Sequence, residues 1–200
     1  MNILANIDKN RFWILLAILL AVVAVYYRGL FGGYTFDDFP NIVDNTELHV
    51  STLSWGDWWA AIFSSPSSEL QRPLAMFSFA INYFFTGLNP FPIKLTNLVI
   101  HLLNVVLAYW LALSIFSIWA MRNPTDTSAR PAAAALAVAA LWGLAPINLT
   151  PVLLAVQRME SLAQIFVFLG LSMYILGRNS HLEARRVCHC FLRWFVACTG

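Results

Sequence analysis

Two adjacent carboxylates are the clearest candidates for chemistry in this chain. Asp37 and Asp38 follow the first apolar segment closely and are flanked by Tyr34, Phe36 and Pro40. Like charges that lie close together, and partial desolvation, both raise the pKa of a carboxyl group, which suits a general base or a metal ligand. A solvated Asp-Asp turn without any function is the alternative, and the residues themselves leave both interpretations open.

A polar stripe lies within a long apolar segment further along the chain. Its members, spaced so that they share one face of a helix, are Lys94, Asn97, His101 and Asn104. Polar groups within a membrane span are costly unless they face a partner or a water-filled cavity rather than lipid. Hydrogen bonding between packed helices is the alternative explanation of the stripe.

Further polar residues gather at the start of the last long apolar segment. Gln157 and Glu160 share a helical face there, with Arg158 beside them, and Arg72 adds a cation just before Pro73. Arginine matches phosphate oxygens, and a carboxylate can take a proton from a hydroxyl group. We therefore expect a site for a lipid-linked phosphate that includes the two carboxylates and the cations Arg72, Lys94 and Arg158.

The composition places these residues in a membrane protein. Of 200 residues, 60% are hydrophobic and 11% are charged, and the mean hydropathy is +0.68. Water-soluble domains contain about 25% charged residues. Three Cys cannot form a disulfide framework, and a net charge of +2 gives no argument for a nucleic-acid partner. We expect an all-α polytopic membrane protein.

Apolar segments of about 20 residues can cross a bilayer, and four of them predict a single membrane domain over residues 1–200. A cleaved signal peptide is the competing interpretation of the first segment, but its apolar part is long and no clean cleavage site follows. Residues 188–200 would begin a fifth span, as in a truncated chain. The four expected spans are residues 12–31, 95–121, 132–149 and 161–177.

Residues 32–93 form a long acidic loop in which we expect two short helices. Ser54 and Asp57 resemble a capping box at the start of a helix over residues 54–63. Tryptophans at helical spacing predict that this helix lies in the membrane interface. These tryptophans are Trp55, Trp58 and Trp59.

The second expected helix covers residues 73–86, from Pro73 to a stop at Gly87, and is short for a span. Cytoplasmic loops carry an excess of Lys and Arg. Arg122 and Arg130 would therefore be cytoplasmic, which keeps this helix, and the whole loop 32–93, on the outer side of the membrane.

The order of three sequence blocks resembles a known enzyme family. Residues 34–45 read YTFDDFPNIVDN, residues 71–111 read QRPLAMFSFAINYFFTGLNPFPIKLTNLVIHLLNVVLAYWL, and residues 140–174 read ALWGLAPINLTPVLLAVQRMESLAQIFVFLGLSMY. The chain resembles the N-terminal part of the GT-C membrane glycosyltransferases. It looks most like bacterial relatives of the tetratricopeptide-containing O-mannosyltransferases and like polyprenyl-phosphate-sugar protein glycosyltransferases, which have more spans than this chain.

The resemblance implies a GT-C-like helical bundle and an inverting transfer of a sugar from a polyprenyl-phosphate donor to a hydroxyl of a protein or glycan. Asp37, helped by Asp38, would be the base. Arg72 and Arg158 match cationic positions of the family, whereas Ala145 stands where His is usual. The implied location is a multi-pass protein of the bacterial inner membrane, in contact with lipid, with its active site on the outer, periplasmic face.

The other polar residues, a possible metal ion and the alternative protein classes complete the expectations. Lys94 and His101 are weaker candidates for binding the donor phosphate. No cofactor is required, although a divalent metal ion could be held by the two Asp side chains. The alternatives from other classes are a non-catalytic membrane subunit or scaffold, and a lipid-carrier flippase or transporter component. The expected supporting residues are Asn97, Asn104, Gln157 and Glu160.

Overall fold

The computed structural model describes residues 3–66, 72–122 and 130–179, and most of these residues are helical, with no β-strand among them. Shorter helical turns lie at Arg28–Phe31, Phe39–Val43, Thr46–Leu48 and Pro146–Asn148. The expected start of a fifth span at residues 188–200 lies outside the described residues. The α-helices are α1 (Ile3–Tyr27), α2 (Trp55–Ile62), α3 (Pro73–Thr86), α4 (Pro90–Arg122), α5 (Pro131–Gly143), α6 (Leu149–Leu153) and α7 (Arg158–Asn179).

Within the described part of the chain, three helices are long and apolar enough to cross a membrane. They cover Lys9–Phe31, Pro90–Met121 and Arg158–Arg178. The segments Pro131–Gly143 and Pro146–Leu153 pass the same test only together, as one bent span, which makes up to four. The prediction of an all-α polytopic membrane protein is therefore confirmed.

Proline and glycine set the ends of α3 and the start of α4. Pro73 occupies the first turn of α3, where a missing N–H costs nothing, and Gly87 ends the helix with a φ of +60°. Helix α4 begins at Pro90 rather than near residue 95, because prolines are tolerated in a first turn. The Asn89 side chain accepts a hydrogen bond from the backbone N–H of Phe91 at 3.1 Å and caps this start.

The expected capping box of α2 is absent. Ser54 is the N-cap residue, but its side chain makes no capping hydrogen bond. Asp57 instead accepts a hydrogen bond from the Thr52 hydroxyl, which also accepts one from the Ser54 backbone N–H at 3.2 Å. The Asp57 side chain thus pairs with Thr52, which precedes the helix, and not with Ser54 as the sequence pattern predicted.

The three tryptophans of α2 do not share one exposed face, although they recur at helical spacing. Trp55 and Trp59 are exposed, at 76% and 54% of their surface. Trp58 turns inward and packs against Phe77 and Phe84 of α3, with ring centroids 5.8 and 5.7 Å apart. A helix rotates each residue by about 100°, so position 58 faces the α3 contact while positions 55 and 59 do not.

The described residues form two compact units. One contains the described residues within 1–22, 102–145 and 164–179, and small residues let its helices approach closely, as the Ala-rich sequence predicts. A Cβ added to Gly143 would lie 2.8 Å from Val105 Cγ2 and 3.3 Å from Val22 Cγ2.

The other unit contains residues from 23–101 and 146–163, and it holds the expected site residues except Asn104. Its hydrophobic core joins the loop after α1, helices α2 and α3, the first turn of α4 and the segment before α7. The central side chains, each at most 1% exposed, are Ile42, Leu48, Ala61, Met76, Phe79, Ala80, Ile93 and Ala155.

Candidate active site

The two adjacent carboxylates occupy different environments. A tight turn carries them: the Asp38 backbone N–H donates to the Thr35 carbonyl at 2.9 Å, and Phe36 has a φ of +44°. A positive φ is strained for a residue other than glycine. The turn leaves Asp37 exposed and buries Asp38 completely.

Asp38 ties the turn to a distant part of the chain. Its Oδ2 accepts a hydrogen bond from the Thr35 backbone N–H at 3.0 Å, and its Oδ1 accepts one from the Val156 backbone N–H at 2.8 Å. The carbonyl of Asp37 accepts a hydrogen bond from the Asn41 side chain at 2.8 Å. The backbone on both sides of the exposed Asp37 carboxylate is therefore held in place.

Arg158 is buried completely at the start of α7. Its Nε donates to Asn97 Oδ1 at 2.7 Å, one terminal nitrogen donates to Ser78 Oγ at 3.1 Å, and the other donates to the Ile93 carbonyl at 2.8 Å. The guanidinium carbon also lies 4.5 Å from the centre of the Phe79 ring. These contacts direct the guanidinium inward, toward α3 and α4.

The polar stripe of α4 is buried, as expected from the free-energy cost of exposing polar groups to lipid. Asn97 donates to the carbonyls of Leu154 and Ala155 at 3.0 and 3.2 Å. The Lys94 ammonium donates to the Gly33 carbonyl at 2.8 Å, which ties α4 to the loop after α1. Hydrogen bonds between helices and loops thus account for these two members of the stripe.

The last two members of the stripe are also buried. His101 packs edge-to-face against Tyr26, with ring centroids 5.6 Å apart. Asn104 belongs to the other compact unit, and its side chain is fully buried there.

Arg72 differs from the other three candidate phosphate ligands because it is exposed. It precedes α3 in the left-handed conformation, with a φ of +40°, and a terminal nitrogen lies 3.0 Å from Met159 Sδ. A neutral sulfur is a weak acceptor for a guanidinium group, so Arg72 keeps donors available for an anion. Of the supporting residues, Glu160 is exposed and Gln157 is partly exposed.

Tyr34 lies next to this network. Its hydroxyl is buried, and no hydrogen-bond partner for it exists among the described residues. Burial, reinforced by the negative charge of Asp38, raises the pKa of the Tyr34 phenol to about 12. The phenol therefore stays protonated at physiological pH.

The Asp pair by itself supplies two side chains as ligands for a metal ion. Both oxygens of Asp38 already accept backbone N–H groups and its side chain is buried, whereas the Asp37 carboxylate is exposed. Divalent cations with oxygen ligands need several such donors. In residues 3–66, 72–122 and 130–179, no group of three or more His, Cys, Asp or Glu side chains could hold a metal ion.

Sequence patterns missed the partners that complete the network. Ser78 lies between apolar residues of α3, and Thr35 and Val156 contribute backbone N–H groups, which no pattern of residue types reveals. The three sequence blocks nevertheless meet in space. Asp38 comes from the first block, Ser78 and Asn97 come from the second, and Arg158 comes from the third.

These observations define a polytopic helical membrane protein with an exposed carboxylate that a buried polar network holds in place. Three curated proteins that the chain resembles are named protein O-mannosyl-transferases. The chain is 34% identical over 103 residues to protein O-mannosyl-transferase TMTC3 of Homo sapiens, a match that covers 49% of this chain and 11% of that protein. It is 37% identical over 91 residues to protein O-mannosyl-transferase TMTC1 of Mus musculus, covering 42% and 10%.

A third relative matches a similar number of residues. The chain is 30% identical over 106 residues to protein O-mannosyl-transferase TMTC4 of Homo sapiens, a match that covers 50% of this chain and 14% of that protein. No protein-family model and no solved structure matches the chain. The expected resemblance to O-mannosyltransferases is thus confirmed as a similarity that covers a small part of each relative's length.

Proposed function

We propose that this chain carries the acceptor-activating site of a membrane glycosyltransferase that transfers a sugar to a hydroxyl group of a protein. The similarity to proteins named O-mannosyl-transferases supports the reaction class and the protein acceptor. The observation that carries the proposal is the division of the Asp pair. Asp37 is exposed and free to accept a proton, while buried Asp38 fixes the turn beneath it.

In the proposed reaction, Asp37 takes the proton of the acceptor hydroxyl as its oxygen attacks the anomeric carbon of the sugar. The bond from that carbon to the phosphate oxygen of a polyprenyl-phosphate donor breaks, and its electron pair leaves with the polyprenyl phosphate. Attack opposite the leaving group inverts the configuration. A general base in the correct position contributes about 10²- to 10⁴-fold to the rate of such a transfer.

Arg72 is the proposed ligand of the donor phosphate. It is exposed, whereas Lys94, His101 and Arg158 are buried. A guanidinium group can donate two parallel hydrogen bonds to phosphate oxygens and can stabilise the charge on the leaving group. In this proposal, the buried side chains of Lys94 and His101 support the site through positive charge or packing and do not contact the phosphate.

The proposed site lies on the outer side of the membrane. The positive residues Arg122, Arg130 and Arg178 lie next to the ends of predicted spans and favour the cytoplasm, which leaves the loop with Asp37 outside. In a bacterial cell, this side is the periplasmic face of the inner membrane.

The proposal is tested with Asp37→Asn in this protein, assayed in membranes with a polyprenyl-phosphate-linked mannose and an acceptor peptide. We expect transfer to fall by about 10²- to 10⁴-fold at unchanged expression, because the amide keeps the shape of the side chain but is not a base. Asp44→Asn is the matched control, since Asp44 is another exposed carboxylate of the same loop.

Arg72→Ala should raise the KM for the donor more than it lowers kcat, because the phosphate loses a charge-assisted contact. Transfer at the wild-type rate by a stably inserted Asp37→Asn protein would contradict the catalytic role. The polar network would then serve a non-catalytic membrane subunit or scaffold.

A further inference from the structure

A short strap of backbone links the buried interior to the turn that carries Asp37. The strap consists of Leu154, Ala155 and Val156, between α6 and α7, and Leu154 is extended with φ −87° and ψ 125°. At one end, the Val156 N–H donates to Asp38 Oδ1 at 2.8 Å. On the other side, the Leu154 and Ala155 carbonyls accept hydrogen bonds from the Asn97 amide at 3.0 and 3.2 Å.

Asn97 can hold the strap because its own orientation is fixed. Its Oδ1 accepts a hydrogen bond from Arg158 Nε at 2.7 Å, so the amide nitrogen must face the strap. Arg158 is fixed in turn by Ser78 Oγ, by the Ile93 carbonyl and by the Phe79 ring. The contacts therefore form a continuous series from α3 and α4, through Asn97 and the strap, to Asp38.

The same contacts argue against a direct contact between Arg158 and a donor phosphate. The side chain is 0% exposed, and its nitrogens Nε, Nη1 and Nη2 each donate to a protein group. To reach a phosphate, the side chain would have to leave this buried position, and its buried acceptors would lose their hydrogen bonds. Arg72 is exposed and need not leave a buried position.

We infer that Asn97 and Arg158 are positioning residues that hold the Asp37 carboxylate in its reactive place through the strap and Asp38. This inference rests on the proposed function, since it concerns the same proton transfer. A displacement of about 1 Å at a reacting group can cost about 10²-fold in rate. The residues therefore affect kcat rather than donor binding.

Asn97→Asp tests the inference with little change in shape. The new carboxylate keeps the acceptor for Arg158 and adds an opposite charge beside that buried cation, which preserves the α4 to α7 contact. It loses the two N–H donors to the strap and places negative oxygen against two carbonyl oxygens. We expect kcat to fall by about 10- to 10²-fold while the KM for a polyprenyl-phosphate-linked mannose stays within twofold.

Arg158→Lys is the second variant, because it keeps the charge but loses the Nε–H donor to Asn97. It should also lower kcat at an unchanged donor KM. Asn82→Ala is the matched control. It removes another hydrogen bond between α3 and α4, from Asn82 to Thr96 at 3.1 Å, that lies outside the strap network. Its kcat should match that of the wild type.

The coupling between sites gives a readout that general loss of structure would not produce. Asn97→Asp and Asp38→Asn act on the same strap, so the double variant should lose clearly less than the product of the two single losses. If the loss of kcat in the double variant equals the product of the two single losses, the two residues act independently. A raised donor KM in Arg158→Lys would assign Arg158 to the phosphate instead. Either result would overturn the inference.

The remaining outcomes separate this inference from the proposed function. Wild-type transfer by Asp37→Asn would refute the proposed base and the inference together. Loss of transfer in Asp37→Asn with a wild-type kcat in Asn97→Asp would refute the positioning role alone. If Asn97→Asp and Arg158→Lys both fail to accumulate in membranes while Asn82→Ala does, the network serves folding, and the positioning role is refuted as well.

Discussion

Replacing Asp38 with alanine should destabilise the protein far more than the same change at its neighbour. Asp38→Ala removes the acceptor of two backbone N–H groups, those of Thr35 and Val156, from a completely buried position. A hydrogen bond to a charged group contributes about 1.5–3 kcal/mol to stability, so the two together contribute about 3–6 kcal/mol. Water cannot replace the lost acceptor without entering the interior, so most of this contribution should be lost.

Asp37→Ala is the matched control for this prediction. The Asp37 side chain is exposed, and the hydrogen bond at this residue uses the backbone carbonyl, which alanine keeps. Exposed substitutions of this kind change the free energy of unfolding by about 0.5 kcal/mol or less. Asp38→Asn, which keeps one oxygen acceptor, should fall between the two, with a loss of about 1.5–3 kcal/mol.

The assay is the midpoint of unfolding by sodium dodecyl sulfate, followed by tryptophan fluorescence of the purified protein in mild detergent. We expect a clear downward shift for Asp38→Ala, a smaller one for Asp38→Asn and none for Asp37→Ala. Equal midpoints for Asp37→Ala and Asp38→Ala would refute the conclusion that the two carboxylates have different roles. A larger shift for Asp37→Ala would reverse the assignment.

Three further predictions use the same unfolding assay or a titration. Gly143→Ala places a Cβ 2.8 Å from Val105 Cγ2 and should destabilise the protein by about 1–3 kcal/mol, and Val105→Ala in the same chain should restore part of the loss. Trp58→Ala should lower the free energy of unfolding by about 3 kcal/mol because Trp58 packs on α3, whereas Trp59→Ala at an exposed position should leave it nearly unchanged. Burial raises the pKa of Tyr34 to about 12, above the value near 10 of an unfolded tyrosine, so the stability from this phenol should be complete below pH 10 and lost as the pH rises from 10 to 12. An ultraviolet titration of the wild type against Tyr34→Phe checks this last prediction, and a phenol at position 34 that ionises near pH 10 in the folded protein would contradict it.

Local residue types were sufficient to predict an all-α polytopic membrane protein. Apolar length predicts membrane spans because a bilayer requires a fixed number of helical residues. Pro73 and Gly87 predict both ends of α3 because each acts through its own backbone geometry. The polar stripe of α4 predicts burial because lipid cannot satisfy its hydrogen bonds. None of these predictions depends on which distant residue contacts the helix.

The roles within the candidate site depend on the tertiary structure. Asp37 and Asp38 are identical in type and adjacent, so the sequence determines that a carboxylate pair stands there, and the Val156 N–H, 118 residues away from Asp38, decides which one is buried. Likewise, the residue type at position 158 leaves two roles open for the arginine. It can bind a phosphate directly, or it can pack inside the protein. Its burial against three α3 and α4 groups supports the proposed positioning role. Residue type limits the chemistry a side chain can perform, but contacts between distant segments set its exposure and partners, and therefore its role.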